Sequence, residues 1–189
     1  MNPNEAEAVI AATRRWIDAA VIGLDLCPFA RPVVAAGRVR YRVSEARDAE
    51  ALHADLVAEL RHLAATDPAS IETTLLIHPW ALRDFLDFND FLSVAEAAVV
   101  ELDLTGELQV ASFHPQYQFA GTQPDDVENC TNRSPFPMLH LLREASIERA
   151  LAHYPDPDSI YQRNIATMRR IGHVGWEQLR LLFVSDFLR

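Results

Sequence analysis

Only two cysteines, Cys27 and Cys130, occur in the 189 residues. Two thiols cannot form a disulfide framework, and neither has the CxxC neighbour of a zinc ribbon or a thioredoxin-like centre. No apolar run approaches the roughly 20 residues that cross a bilayer. The opening Met1-Asn2-Pro3-Asn4-Glu5-Ala6-Glu7 has neither the basic nor the apolar region of a secretion signal. These absences lead us to expect a cytoplasmic protein with reduced thiols and no membrane association. Positive charge is also scarce: 17 basic residues stand against 27 acidic ones, for a net charge of -10. A nucleic-acid binder needs a basic footprint, so that class is excluded. Neither GxxxxGK[ST] nor GxGxxG is present, which removes the common nucleotide cradles. There is no internal repeat and no low-complexity stretch. What is present is a globular mix, 49% hydrophobic and 23% charged, at a length that suits a single domain over residues 1–189.

Asn2 and Pro3 read as an N-cap and a first helical position, and Val9, Thr13, Trp16, Ile17, Ala20, Val21 and Leu24 continue at helical spacing until Pro28. Val39 to Val43 alternates like a strand with one wet face. Leu52, Leu56, Leu60 and Leu63 give a second helix, and Ile71 to Ile77 a buried strand closed by His78-Pro79. A helix from about Leu82 to Leu102 and a strand from Leu108 to Phe113, closed by His114-Pro115, follow. Helical crossovers between strands favour parallel pairing. The expected fold is therefore α/β or α+β: a small, mainly parallel three-stranded sheet covered by helices, with a helix-rich C-terminal part. There, Asp156-Pro157 caps a helix carrying Ile160, Tyr161, Ile165, Met168 and Ile171 and ending at Gly172, with a further helix from Trp176 to Leu188.

Chemistry-bearing residues crowd between Gln109 and Glu144. Parallel sheets bind ligands beyond the carboxyl ends of their strands, which draws in His78 and His114. The long segment after Pro115 supplies Asp125, Cys130, Asn132 and Arg133. Ser134-Pro135 and Pro137 read as a helix start, whose N–H groups suit an anion. On that helix Arg143 would project from an apolar face with His140 and Glu144 four residues apart beside it, and a buried guanidinium calls for a partner. Asp125, Glu144 or a bound anion could supply it.

Leu26-Cys27-Pro28-Phe29-Ala30, Glu72-Thr73-Thr74-Leu75-Leu76, Ser112-Phe113-His114-Pro115 with Tyr117-Gln118-Phe119-Ala120-Gly121-Thr122, and Asn132-Arg133-Ser134-Pro135 leading to His140-Leu141-Leu142-Arg143-Glu144-Ala145 resemble a bacterial family, domain of unknown function 1415. The resemblance spans nearly the whole chain. It implies a bacterial single-domain protein of this size and no particular activity.

The expected function is a small enzyme acting on an anionic small molecule, a carboxylate or phosphate. Arg133, Arg143, Asn132, Ser134 and His78 would bind it. His114 or His140 would transfer protons, oriented by Asp125 or Glu144. One alternative is a divalent-metal site built from His114, His140, Glu144 and Cys130. Another is a non-catalytic binding or assembly module whose ionic groups pair internally.

Overall fold

The computed structural model describes residues 3–152, 154, 156 and 159–184; Asn2, Pro157 and the end of the expected last helix fall outside them. The chain opens with helix α1, Pro3–Trp16, which widens into a π turn at Ile17–Ile22. Gly23 closes that turn, where a Cβ would stand 2.3 Å from the Ala19 carbonyl oxygen. A short helix α2, Ala30–Ala35, follows Pro28. Strand β1, Val39–Val43, leads through helix α3, Ala49–Ala65, to strand β2, Thr73–Ile77. Helix α4, Phe85–Glu101, then leads to strand β3, Leu108–Phe113. Both helices start on an aspartate whose side chain accepts backbone N–H bonds, Asp48 from Ala51 and Asp84 from Leu86 and Asp87.

After a 3-10 turn at Val127–Asn132 comes a fourth strand, β4, Met138–Arg143. It occupies the place where the sequence pattern suggests a helix. The sheet order is β1-β2-β4-β3, with β1 and β2 parallel and β4 antiparallel to both its neighbours. The sheet is thus mixed and four-stranded, where a mainly parallel, three-stranded one is expected. β4 lies between two strands and under two helical layers, so its Met-Leu-His-Leu-Leu-Arg run is nearly all buried or half-buried. A strand covered on both faces has no need for polar alternation. Helix α5, Glu144–Ala152, starts immediately where β4 ends. Helix α6, Ser159–Val184, is broken at Gly172, where φ 61° and ψ -175° define a conformation open essentially only to glycine. The helix-rich C-terminal part is as the sequence suggests.

Two apolar clusters flank the sheet. On one face, Leu52, Leu56, Leu60 and Leu63 of α3 and Phe88 and Phe91 of α4 pack on Leu76, Leu139 and Leu141. On the other, Val9, Trp16 and Ile17 from the first helix and Met168, Trp176 and Phe183 of α6 pack on Leu75, Ile77 and Met138. Among the described residues no helix is long and apolar enough to cross a membrane.

The strand assignment changes the meaning of Arg143. Its guanidinium is buried, but it faces main-chain oxygens rather than a carboxylate. Nη2–H donates to the carbonyls of Leu63 and Thr66 at 2.6 Å each, and Nε–H to that of Ile71 at 3.4 Å. The carboxyl end of a helix exposes unpaired carbonyls and the negative end of its dipole, so a cation there needs no ionised partner. Arg143 ties the end of α3 to the loop entering β2. We expect Arg143→Met to lower stability by roughly 2–4 kcal/mol, because it removes the donors that the part-buried Thr66 and Ile71 carbonyls and the end of α3 share. Urea unfolding checks this, and a stability equal to or above that of the unmodified chain would contradict the assignment.

Candidate functional site

The carboxyl ends of β2 and β3 and the amino end of β4 meet at one edge of the sheet, and that edge is built by backbone bonding. The His78 N–H donates to the Pro137 carbonyl at 3.0 Å, and the His114 N–H to that of Asn132 at 3.2 Å. Both imidazoles turn away from the edge onto Phe88 of α4. The His78 ring stacks on it at 5.6 Å between centroids, and the His114 ring lies 5.1 Å away at a 30° tilt.

The protons on these rings follow from their partners. His78 Nδ1 faces the Ala81 carbonyl at 3.0 Å, so it carries the proton, and Nε2 keeps a bare lone pair that is buried without a partner. His114 Nε2 donates to the Leu82 carbonyl at 3.3 Å, and Nδ1 accepts the Gln116 N–H at 3.0 Å. Both rings are therefore neutral by construction. Burial agrees: desolvation pushes His78 down to about 4 and also lowers His114. The two bonds fix the 79–84 loop on successive carbonyls, those of Ala81 and Leu82. Leu82 sits at φ 51°, a left-handed conformation costing roughly 1–2 kcal/mol for a residue with a branched side chain. The histidine bonds offset that strain.

The segment after Pro115 is ordered by its own side chains. Buried Asn129 is the hub: Oδ1 accepts from the Phe119 N–H and the Thr122 hydroxyl, and Nδ2–H donates to the Gln123 carbonyl. Arg133 turns inward to the Tyr117 and Pro124 carbonyls. Asn132 donates to the Ser112 carbonyl. Ser134 donates its hydroxyl proton to the Phe136 carbonyl, and the prolines beside it lead into β4, so no helix N-terminus exists there to hold an anion. Asp125 is exposed on the surface of this segment.

His140 lies on the opposite face of β4. The Thr73 hydroxyl donates to the Leu141 carbonyl at 2.6 Å, so His140 Nε2–H must donate to Thr73 Oγ1 at 2.7 Å. Its flank retains some exposure, yet desolvation of the ring holds it down at about 4. Glu144, first residue of α5, stands beside Leu108, and His114 follows Phe113 at the other end of β3, so these two lie about 20 Å apart at the rise of a strand. His114, His140, Glu144 and Cys130 therefore do not converge. Among the described residues no group of three or more His, Cys, Asp or Glu side chains could hold a metal ion.

What the edge does form is an open cleft of about 1010 Å³. One wall is the start of α1, with Asn4, Glu5 and Ala8. The 79–84 loop contributes Pro79, Trp80, Arg83 and Asp84. Pro115 and Gln116 come from the turn after β3, and Pro135, Phe136 and Pro137 from the approach to β4. Four prolines stiffen three of these strips. His78 and His114 precede two of the prolines and stand behind the wall. Trp80, Arg83 and Phe136 are the residues that sequence reasoning missed, whereas Gln116 belongs to the polar segment it singled out. The signal for the loop was present, since His78-Pro79 marked a strand end beyond which a ligand would lie. The contribution of α1 had no local signal. A second, smaller hollow of about 430 Å³ lies between Leu24-Asp25 and α6, near Arg163 and Arg170.

Of the charges in the main cleft, the Asp84 carboxylate is held by the Leu86 and Asp87 N–H groups, and Glu5 is not without a partner. Arg83 is exposed, and among the described residues no hydrogen bond or ion pair engages its guanidinium. The chain has no lysine at all, so its amine chemistry is absent and side-chain cations are arginines.

His78 and His140 make stability depend on pH. Their folded values near 4 lie below the ordinary 6.5, so the unfolded chain takes up more protons between those limits. Stability is then full above about pH 6.5 and falls as the pH drops toward 4, by on the order of 3 kcal/mol for each ring. Urea midpoints measured across this range should fall with acidity, and His140→Leu should remove part of the slope. A flat profile would contradict the buried neutral rings.

No curated protein and no solved structure matches the chain. A family model described as "Protein of unknown function (DUF1415)" matches residues 8–178, and the chain therefore belongs to that family.

Proposed function

We propose that this protein binds a small organic anion, a carboxylate or phosphate with an apolar or planar part, in the cleft at the carboxyl ends of β2 and β3. The observation that carries the reading is Arg83: it is the charge lining the cleft that is left uncommitted among the described residues. Trp80 and Phe136 supply ring surface, and Asn4 and Gln116 supply amide groups, the usual mix of an apolar wall with a few orienting polar groups. A guanidinium pairs with carboxylate or phosphate through two parallel N–H bonds.

The anion is kept from the sequence-based expectation, but its location moves. Arg133 and Arg143 spend their donors on main-chain oxygens, so they support no anion site. Proton transfer by His114 or His140 gains no support either, since their bonds are internal and both resist protonation. Binding is accordingly the reading we favour over His-mediated catalysis.

Benzoate is a suitable probe, with a ring for Trp80 and a carboxylate for Arg83. We expect saturable quenching of tryptophan emission by benzoate, weakened at least about tenfold in Arg83→Ala, as the loss of one charge-assisted contact implies. The thermal midpoint of the variant should stay unchanged, because among the described residues no bond engages the Arg83 guanidinium. Absence of saturable quenching, or quenching unaffected by the substitution, would refute the site.

A further inference from the structure

We propose that His78 and His114 form an acid-sensitive latch that holds the 79–84 loop, and with it one wall of the cleft, closed only while both rings are neutral. The inference rests on the cleft reading for its functional meaning but not for its mechanism. The geometry requires it in three ways. His114 Nδ1 accepts the Gln116 N–H, a bond that a proton on Nδ1 would replace with two facing N–H groups. His78 Nε2 is buried with no acceptor near it, so a proton there would be an unpaired buried charge. Each ring also spends its one proton on a carbonyl of the loop, Ala81 or Leu82, and Leu82 is the residue held at positive φ. When the rings charge, they must leave the site behind Phe88, and the strained loop loses both of its ties.

The groups around the pair do not compensate. The loop before α4 brings Arg83 and Asp84. The Asp84 charge favours a proton on His114, but its carboxylate already caps α4, and a charged His114 disfavours a proton on His78. Helix α4 itself presents Phe85 and Phe88 to the rings. The turn after β3 brings Tyr117, whose ring lies against Phe85. The 3-10 turn precedes Arg133, which is directed at the Tyr117 and Pro124 carbonyls. The approach to β4, residues 134–137, carries no titratable side chain. In the opened loop the rings regain an ordinary value near 6.5. At one pH unit below that value His78, held at about 4 in the closed loop, multiplies the opening constant by about ten, and His114, lowered in the same direction, adds to it.

The test is amide hydrogen exchange of the full chain at about pH 7.5 and about pH 5.5, corrected for intrinsic rates and read locally. We expect the amides of residues 80–84, His114, Gln116 and Tyr117 to open at least about tenfold more often at the lower pH, while β2 amides such as Leu75 keep their protection. His78→Asn with His114→Asn keeps a donor toward Ala81 and an acceptor for Gln116 without a titrating ring, and it should abolish the change. Should that variant not fold, the carbon signals of the two rings in the unmodified protein decide instead. Their titration must coincide with loop opening, and opening while both rings stay neutral overturns the latch. Unchanged local exchange, or loss of the whole sheet together, overturns it as well. Benzoate added at about pH 7.5 separates the two proposals: no slowing of Trp80 and Arg83 exchange, with the pH response intact, sinks the cleft reading alone.

Discussion

The insertion of β4 between β2 and β3 organises the molecule. β2 and β3 run the same way but never touch; each finds its hydrogen bonds on the antiparallel strand between them. Without β4 the sheet would be two unpaired edges and two half-covered apolar faces, because Leu139 and Leu141 belong to one cluster and Met138 to the other. Both ends of the strand also carry tertiary bonds. At its carboxyl end Arg143 closes α3, and at its amino end Pro137 and Asn132 receive the N–H groups of His78 and His114. The cleft exists because the approach to β4 has to pass between the two strand ends.

At that edge, hydrogen bonding and desolvation act in the same direction. Two imidazoles pack against Phe88, each with a single proton directed at a carbonyl, and their neutrality goes with the loop's shape. The loop they hold is strained at Leu82 and carries Trp80 and Arg83 into the cleft. The wall that would contact a ligand is thus positioned by groups that never reach it, a division that keeps the exposed guanidinium free of structural duty.

Much of the fold was legible in the sequence. The α3 stripe at Leu52, Leu56, Leu60 and Leu63, strands β1 and β3, the break at Gly172 and the strand ends at His78 and His114 all follow from period and punctuation. β4 was not legible. Met138-Leu139-His140-Leu141-Leu142-Arg143 contains no β-branched residue, consists largely of good helix formers, and runs without a turn into a real helix at Glu144. Local preference favours helix there, and only pairing with β2 and β3 reverses it. That one misreading turned Arg143, His140 and Glu144 into a convergent site, because residues three and four apart share a helix face but alternate or separate along a strand. The position of the cleft was half legible: the rule that ligands lie beyond strand ends pointed to His78 and His114, whereas the wall supplied by α1 and the free state of Arg83 depend on contacts between distant parts of the chain.

If the cleft takes an organic anion, Arg83 and Trp80 are the groups that must respond to it. Nitrogen-15 spectra recorded during a benzoate titration test it most directly, because side-chain N–H signals report their own site. Saturable shifts are expected at the Arg83 Nε–H, the Trp80 indole N–H and the Gln116 amide, with the Arg133 and Arg143 signals unmoved. Shifts confined to Arg163 and Arg170 beside the smaller hollow, or no saturable shift at all, would contradict it.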